Sequence, residues 1–153
     1  MERGGHLEAD KNDDPESDLE DFVRPTQESL DELGEQLREI QVCEWVLEGR
    51  ALRPVALLTI QDSERLAHLM THLRIVETDE WQHCMCVGSI VIVAVTRAGL
   101  TTRITIHHGD LLRWNDKWGS DATLADGWGL ARWLAEEGVP ELLAEMNDAR
   151  AMD

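Results

Sequence analysis

Cys84 and Cys86 in "HCMCVG" (83–88), with His107 and His108 in "IHHGDLLRW" (106–114), are the residues best able to do chemistry in this chain. Thiolates and imidazoles are the donors zinc takes, at about 2.0–2.3 Å and usually four to a structural site. Cys84, Cys86 and His108 therefore form a candidate metal set, with the fourth ligand left to His83, His107 or Asp110. Two other readings stand beside it: a reactive thiol, and two small side chains buried in a strand, since unpaired cysteine is readily buried. The spacing is C-x-C rather than C-x-x-C, and alternate residues on a strand lie about 6.6 Å apart. The buried strand is the preferred reading, with no cofactor; zinc is the alternative. The sequence offers no catalytic residue.

Adjacent residues of a strand face opposite ways, so His107 and His108 are not expected to grip one ion together. His108 then shares a face with the cysteines and donates to a nearby carbonyl or carboxylate. His107 faces solvent beside Arg103 or lies under a loop. Imidazole titrates near neutrality, but no nucleophile spacing accompanies either ring. His68 and His72 have the i, i+4 spacing of a metal pair, yet Leu69-Met70-Thr71 between them lacks the glutamate of HExxH. They read as a solvated helix face. "RWNDKWG" (113–119) gathers Arg113, Trp114 and Trp118, residue types that anchor interfaces, with closure of the core as the alternative.

These groups must be positioned by a chain of 153 residues, enough for one domain with one sizeable core. That core lacks Tyr and has one Phe, so Leu, Val, Ile and six Trp supply the bulk. Residues 1–24 read as a disordered acidic segment and 25–150 as a single α+β domain. "TQESLDELGEQLREI" predicts a helix over about 27–39, with Ser29 and Glu32 spaced as a capping box. "IQVCEWVLEG" and "RPVALLTI" predict an antiparallel pair. Asp62 or Ser63 caps a second helix, Asp126 caps "GWGLARWLAEEG", and Pro140 opens a last helix. The clearest element is a hairpin, 84–95 against 100–108. Its Arg97-Ala98-Gly99 loop sets Ile92 against Ile104 and Ile90 against Ile106. The fold class is α+β, with an antiparallel sheet of about four to six strands and about four helices.

The formal charge is −17, and residues 1–39 hold 14 acids against 4 bases. Such a field repels nucleic-acid phosphates and anionic membrane, so neither is an expected partner. Three cysteines, two of them too close in sequence for an ordinary bridge, fit a reducing cytoplasm. No apolar N-terminal signal and no membrane-length apolar run is present. Twelve arginines against two lysines fit a high-GC bacterial source.

"CMCVGS", "IHHGDLLRW", "WGSDATLADG" and "RWLAEEGV" together resemble a group of uncharacterised proteins from actinobacteria and other high-GC bacteria, over roughly residues 81–140. The resemblance implies no activity and carries over no catalytic residue.

These observations lead first to a small acidic, non-enzymatic binding protein, such as an immunity- or antitoxin-type inhibitor of a basic partner protein. It would capture that partner electrostatically through Asp31, Glu32 and Glu35 and bury Trp114, Trp118 and Arg113 against it. A zinc enzyme or sensor using Cys84, Cys86 and His108 is the second expectation. An accessory subunit of a larger assembly is the third.

Overall fold

A computed structural model describes residues 22–152. Thr26 begins the folded body by capping helix α1, Gln27–Gln36: its hydroxyl accepts from the Ser29 amide at 3.3 Å. The cap is Thr26 rather than a Ser29–Glu32 box, because Ser29 already lies inside the first turn. The helix also stops three residues short of the expected 39. Leu37 is extended (ψ 137°), and the chain passes without a loop into strand β1, Leu37–Glu48. Pairing with the sheet outweighs the helical stripe here. A register shift between Leu37 and Glu39 lets Leu37 and Ile40 enter the same core.

Strand β2, Ala51–Ile60, folds back on β1, and helix α2, Ser63–His72, follows, capped by Asp62 through the Arg65 amide at 3.0 Å. Strand β3 is Ile75–Val76, β4 Ile90–Thr96, β5 Thr101–His107, β6 Leu111–Arg113 and β7 Ala122–Leu124. Helices α3, Gly127–Glu136, and α4, Glu141–Met152, complete the described chain, with the Asp126 carboxylate accepting from Gly129 N at 3.0 Å. The seven strands form one antiparallel sheet in the order β2-β1-β4-β5-β6-β7-β3. The α+β class and four helices are as expected. The strand count exceeds the expected range because β3, β6 and β7 are only two or three residues long.

The β4–β5 hairpin has the expected register, Ile90 against Ile106 and Ile92 against Ile104. Gly99 closes its turn at φ +87°, donating to the Thr96 carbonyl at 2.9 Å. Ile90, Ile92, Ile104 and Ile106 point to the helices, where they join Leu30, Leu69, Leu73, Leu130 and Leu134, all fully buried. Each such side chain contributes about 1.5–3 kcal/mol through loss of apolar surface to water. Strand alternation sends Thr105 and His107 to the other face of the sheet.

Two outlying expectations change. His68 and His72 do not form a fully solvated face: their rings stack at 5.4 Å and lie 5.5 and 5.8 Å from the buried Trp133 of α3. Burial, then the charge of His68, lowers the pKa of His72. Of the expected disordered segment, residues 1–21 lie outside the described residues, whereas the Val23 carbonyl already accepts from Gly119 N at 2.8 Å. No helix among the described residues is long and apolar enough to cross a membrane.

Candidate metal centre

The segment expected as a strand from residue 84 is a loop up to Ser89, and β4 begins only at Ile90. Its backbone groups are met by side chains instead of a sheet ladder. The Asp121 carboxylate accepts from Cys84 N at 2.7 Å. Arg113 donates to the Cys86 carbonyl at 3.0 Å and to that of Cys84. Arg113 and Asp121 are themselves joined by two bonds, 2.8 and 3.0 Å, with Asp121 only 1% exposed. Burial alone would raise the Asp121 pKa, but the bonds from Arg113 and the Cys84 amide carry it below the ordinary aspartate value. The bond to Asp121 raises that of Arg113 further, despite burial. A locked ion pair thus bends "CMCVG" across the sheet.

Gly88 completes the bend at φ +91°, and Ser89 N then donates to the Ile106 carbonyl at 2.9 Å. A Cβ on Gly88 would meet Thr105 Cβ at 3.1 Å and His107 Nε2 at 3.2 Å. The loop therefore lies directly on the Thr105–His107 face, and His107 is fully buried beneath it.

One atom each from Cys84, Cys86 and His107 lies within 4.8 Å of the others. Cys86 Sγ is 2.9 Å from Cys84 Sγ and 3.0 Å from His107 Nδ1. His107 Nε2 is 2.8 Å from Thr105 Oγ1. With Nε2–H donating to that hydroxyl, the ring turns an Nδ1 lone pair towards Cys86. Metal-binding histidines are commonly oriented by such an outer hydrogen bond. Burial, followed by the charge of Arg113, depresses the His107 pKa to about 4, so the ring is neutral at pH 7. The hydrogen bond from Cys86 lowers the pKa of Cys84, while burial and the neighbouring Cys84 raise that of Cys86. One thiol of the pair is thereby favoured as the thiolate.

His108, predicted to share a face with the cysteines, comes near them by another route. It leaves the strand at φ +58°, which swings its ring back over the loop, and Nε2 lies 3.5 Å from Cys86 Sγ. Its side chain is 60% exposed, and Nδ1 is 3.7 Å from Glu145 Oε2 of α4. The two adjacent imidazoles thus meet the same sulfur, against the expectation from strand alternation. That expectation fails because alternation holds only to His107, where β5 ends. His107, placed at the surface or under a loop by the sequence, lies under the loop. His83 Nδ1 is 3.9 Å from Asp121 Oδ1 at the margin.

The partner-binding candidates separate. Trp114 and Trp118 are 2% and 6% exposed, and their indole N–H groups donate to Thr102 and Ser29. They pack into the core. Arg113 is committed to the loop, with a side chain 13% exposed. Asp31, Glu32 and Glu35 are exposed on α1, although Asp31 pairs with Arg74 at 3.2 Å.

Missing from the sequence reading was the Arg113–Asp121 pair as the support of the site. The register of β6 on β5, Thr105 opposite Arg113, sets the guanidinium on the His107 face. The polar alternation Arg103, Thr105, His107 could have signalled a face that needs a cover.

No family model, no curated protein and no solved structure matches the chain.

Proposed function

We propose that this chain is a metal-binding domain, taking one zinc or similarly thiophilic ion on Cys84, Cys86 and His107, with His108 as the fourth donor from the rim. The observation that carries this reading is the compact Cys-Cys-His group, with His107 oriented by Thr105. Two sulfurs and imidazole nitrogen suit zinc and its soft neighbours, not magnesium or calcium. Zinc–sulfur bonds of about 2.3 Å in a tetrahedron hold two sulfurs roughly 3.7 Å apart. Binding an ion would therefore open the present 2.9 Å pair. A ligated His108 would also tie the loop to α4 through Glu145, so the ion would act as a clasp.

The test is titration of the reduced, chelator-treated chain with zinc, and with cobalt(II) as a spectroscopic substitute. One equivalent binds, with thiolate-to-cobalt absorption, and both Cys86→Ser and His107→Gln abolish it. Stoichiometry far below one, or a cobalt spectrum unchanged by Cys86→Ser, overturns the reading.

A second reading keeps electrostatic capture of a basic protein. It is favoured by the exposed Glu32 and Asp116, which border a cleft of about 340 Å³ beside α1. With Trp114 and Trp118 largely buried it rests on charge, so binding of a basic protein would fall steeply with salt. Binding that survives Asp31→Asn, Glu32→Gln and Glu35→Gln together would refute it.

A further inference from the structure

We infer that Cys84 and Cys86 are also a thiol–disulfide exchange site, which reacts with low-molecular-weight disulfides of the glutathione class and closes into a reversible Cys84–Cys86 bond. The reaction needs no ion. The two sulfurs stand 2.9 Å apart, against roughly 2.05 Å in a disulfide. The bend at Met85 and Cys86 overcomes the sequence-level objection to bridging residues so near each other. Met85 between them is 92% exposed, so the crest of the loop is open to a small disulfide. Cys43, the third thiol, is 2% exposed within β1 and takes no part.

The geometry divides the roles. Cys84, since Cys86 is the thiol bonded to His107, attacks one sulfur of glutathione disulfide as the thiolate, its proton having gone to water. The glutathione S–S bond breaks, one glutathione leaves as its thiolate, and Cys84 carries a mixed disulfide. Cys86 then loses its proton to solvent and attacks Cys84 Sγ, 2.9 Å away. The second glutathione thiolate departs, and the protons released by the two cysteines end on the two glutathiones. Two electrons pass from the protein dithiol to glutathione disulfide.

The bond so formed is easily undone. It encloses a single residue, so it gains almost nothing from loop closure. Arg113 also holds both cysteine carbonyls and resists the backbone adjustment that would relieve strain. Strained, exposed disulfides are the labile ones.

The experiment uses the full chain in chelator, equilibrated with mixtures of glutathione and glutathione disulfide, quenched by alkylation and read by mass spectrometry. The Cys84–Cys86 bond accumulates as glutathione disulfide rises and disappears when glutathione is restored. Cys86→Ser traps a mixed disulfide on Cys84. A wild-type chain that stays fully reduced, or that stops at a mixed disulfide, refutes the proposal without any variant having to fold. Because zinc titration is run under excess reductant and exchange under chelator, each reading can fail while the other stands.

Discussion

His107 is a buried imidazole that the folded chain keeps neutral, and this has a consequence for pH. Its pKa falls from an ordinary 6.5 to about 4, chiefly through burial. Between those values the unfolded chain binds a proton that the folded chain refuses. Stability therefore rises with pH through that window and is lost as pH falls from 6.5 towards 4, by roughly 3 kcal/mol in all. In metal-free protein, denaturant unfolding at pH 7.5 and at pH 5 is expected to differ by about 2 kcal/mol from this group. His107→Asn removes that component, and equal pH losses in the two proteins would contradict it. The Arg113–Asp121 pair gives a second residue-level prediction. Asp121→Asn strands a guanidinium whose side chain is 13% exposed and frees the Cys84 amide. The expected loss is about 3 kcal/mol in urea unfolding, since removing one partner of a buried pair leaves an uncompensated charge. A loss below about 1 kcal/mol, the usual worth of an exposed pair, would show that the pair does not hold the loop.

Among the elements, legibility followed the range of the interactions that decide them. The β4–β5 hairpin was readable because alternating Ile residues and Gly99 fix it locally, and the caps Asp62 and Asp126 were readable for the same reason. The early end of α1 was not, because Leu37 and Ile40 satisfy either a helical stripe or the core side of β1. The site was half readable. Cys84 and Cys86 were recognised, but "CMCVG" has the composition of a strand, and the groups that bend it lie 27 and 37 residues away in Arg113 and Asp121. Once the loop is bent, His107 is covered and His108 leaves the strand, so the identity of the buried imidazole depended on a long-range ion pair. Gly88 tests this account. Alanine there must adopt φ +91° and press within 3.1–3.2 Å of Thr105 and His107. Gly88→Ala is expected to lose about 1–2 kcal/mol in thermal unfolding and to weaken zinc binding further, because strain concentrates on the loop. Unchanged stability and unchanged zinc affinity would show that the bend does not depend on that backbone conformation.

For the whole molecule, the question is how a chain of charge −17 treats a cation. Five of the acids, Asp10, Asp13, Asp14, Glu16 and Asp18, are crowded into nine residues of the N-terminal sequence, outside the described residues. They still contribute to the field an approaching ion meets. A field of this kind raises local cation concentration without adding a ligand, and salt screens it, with a Debye length of about 10 Å at 0.1 M. Zinc association with the reduced chain should therefore slow several-fold between about 0.05 and about 0.5 M sodium chloride, as screening shortens the reach of the field. Replacing those five by Asn or Gln in the full-length chain is expected to flatten this salt dependence. Stoichiometry and the cobalt spectrum stay as they were, because the donors are untouched. Equal salt dependence in the two chains would mean that the N-terminal charge plays no part in delivery. The remaining field would then come from the folded body alone, where Asp31, Glu32, Glu35 and Asp116 lie exposed.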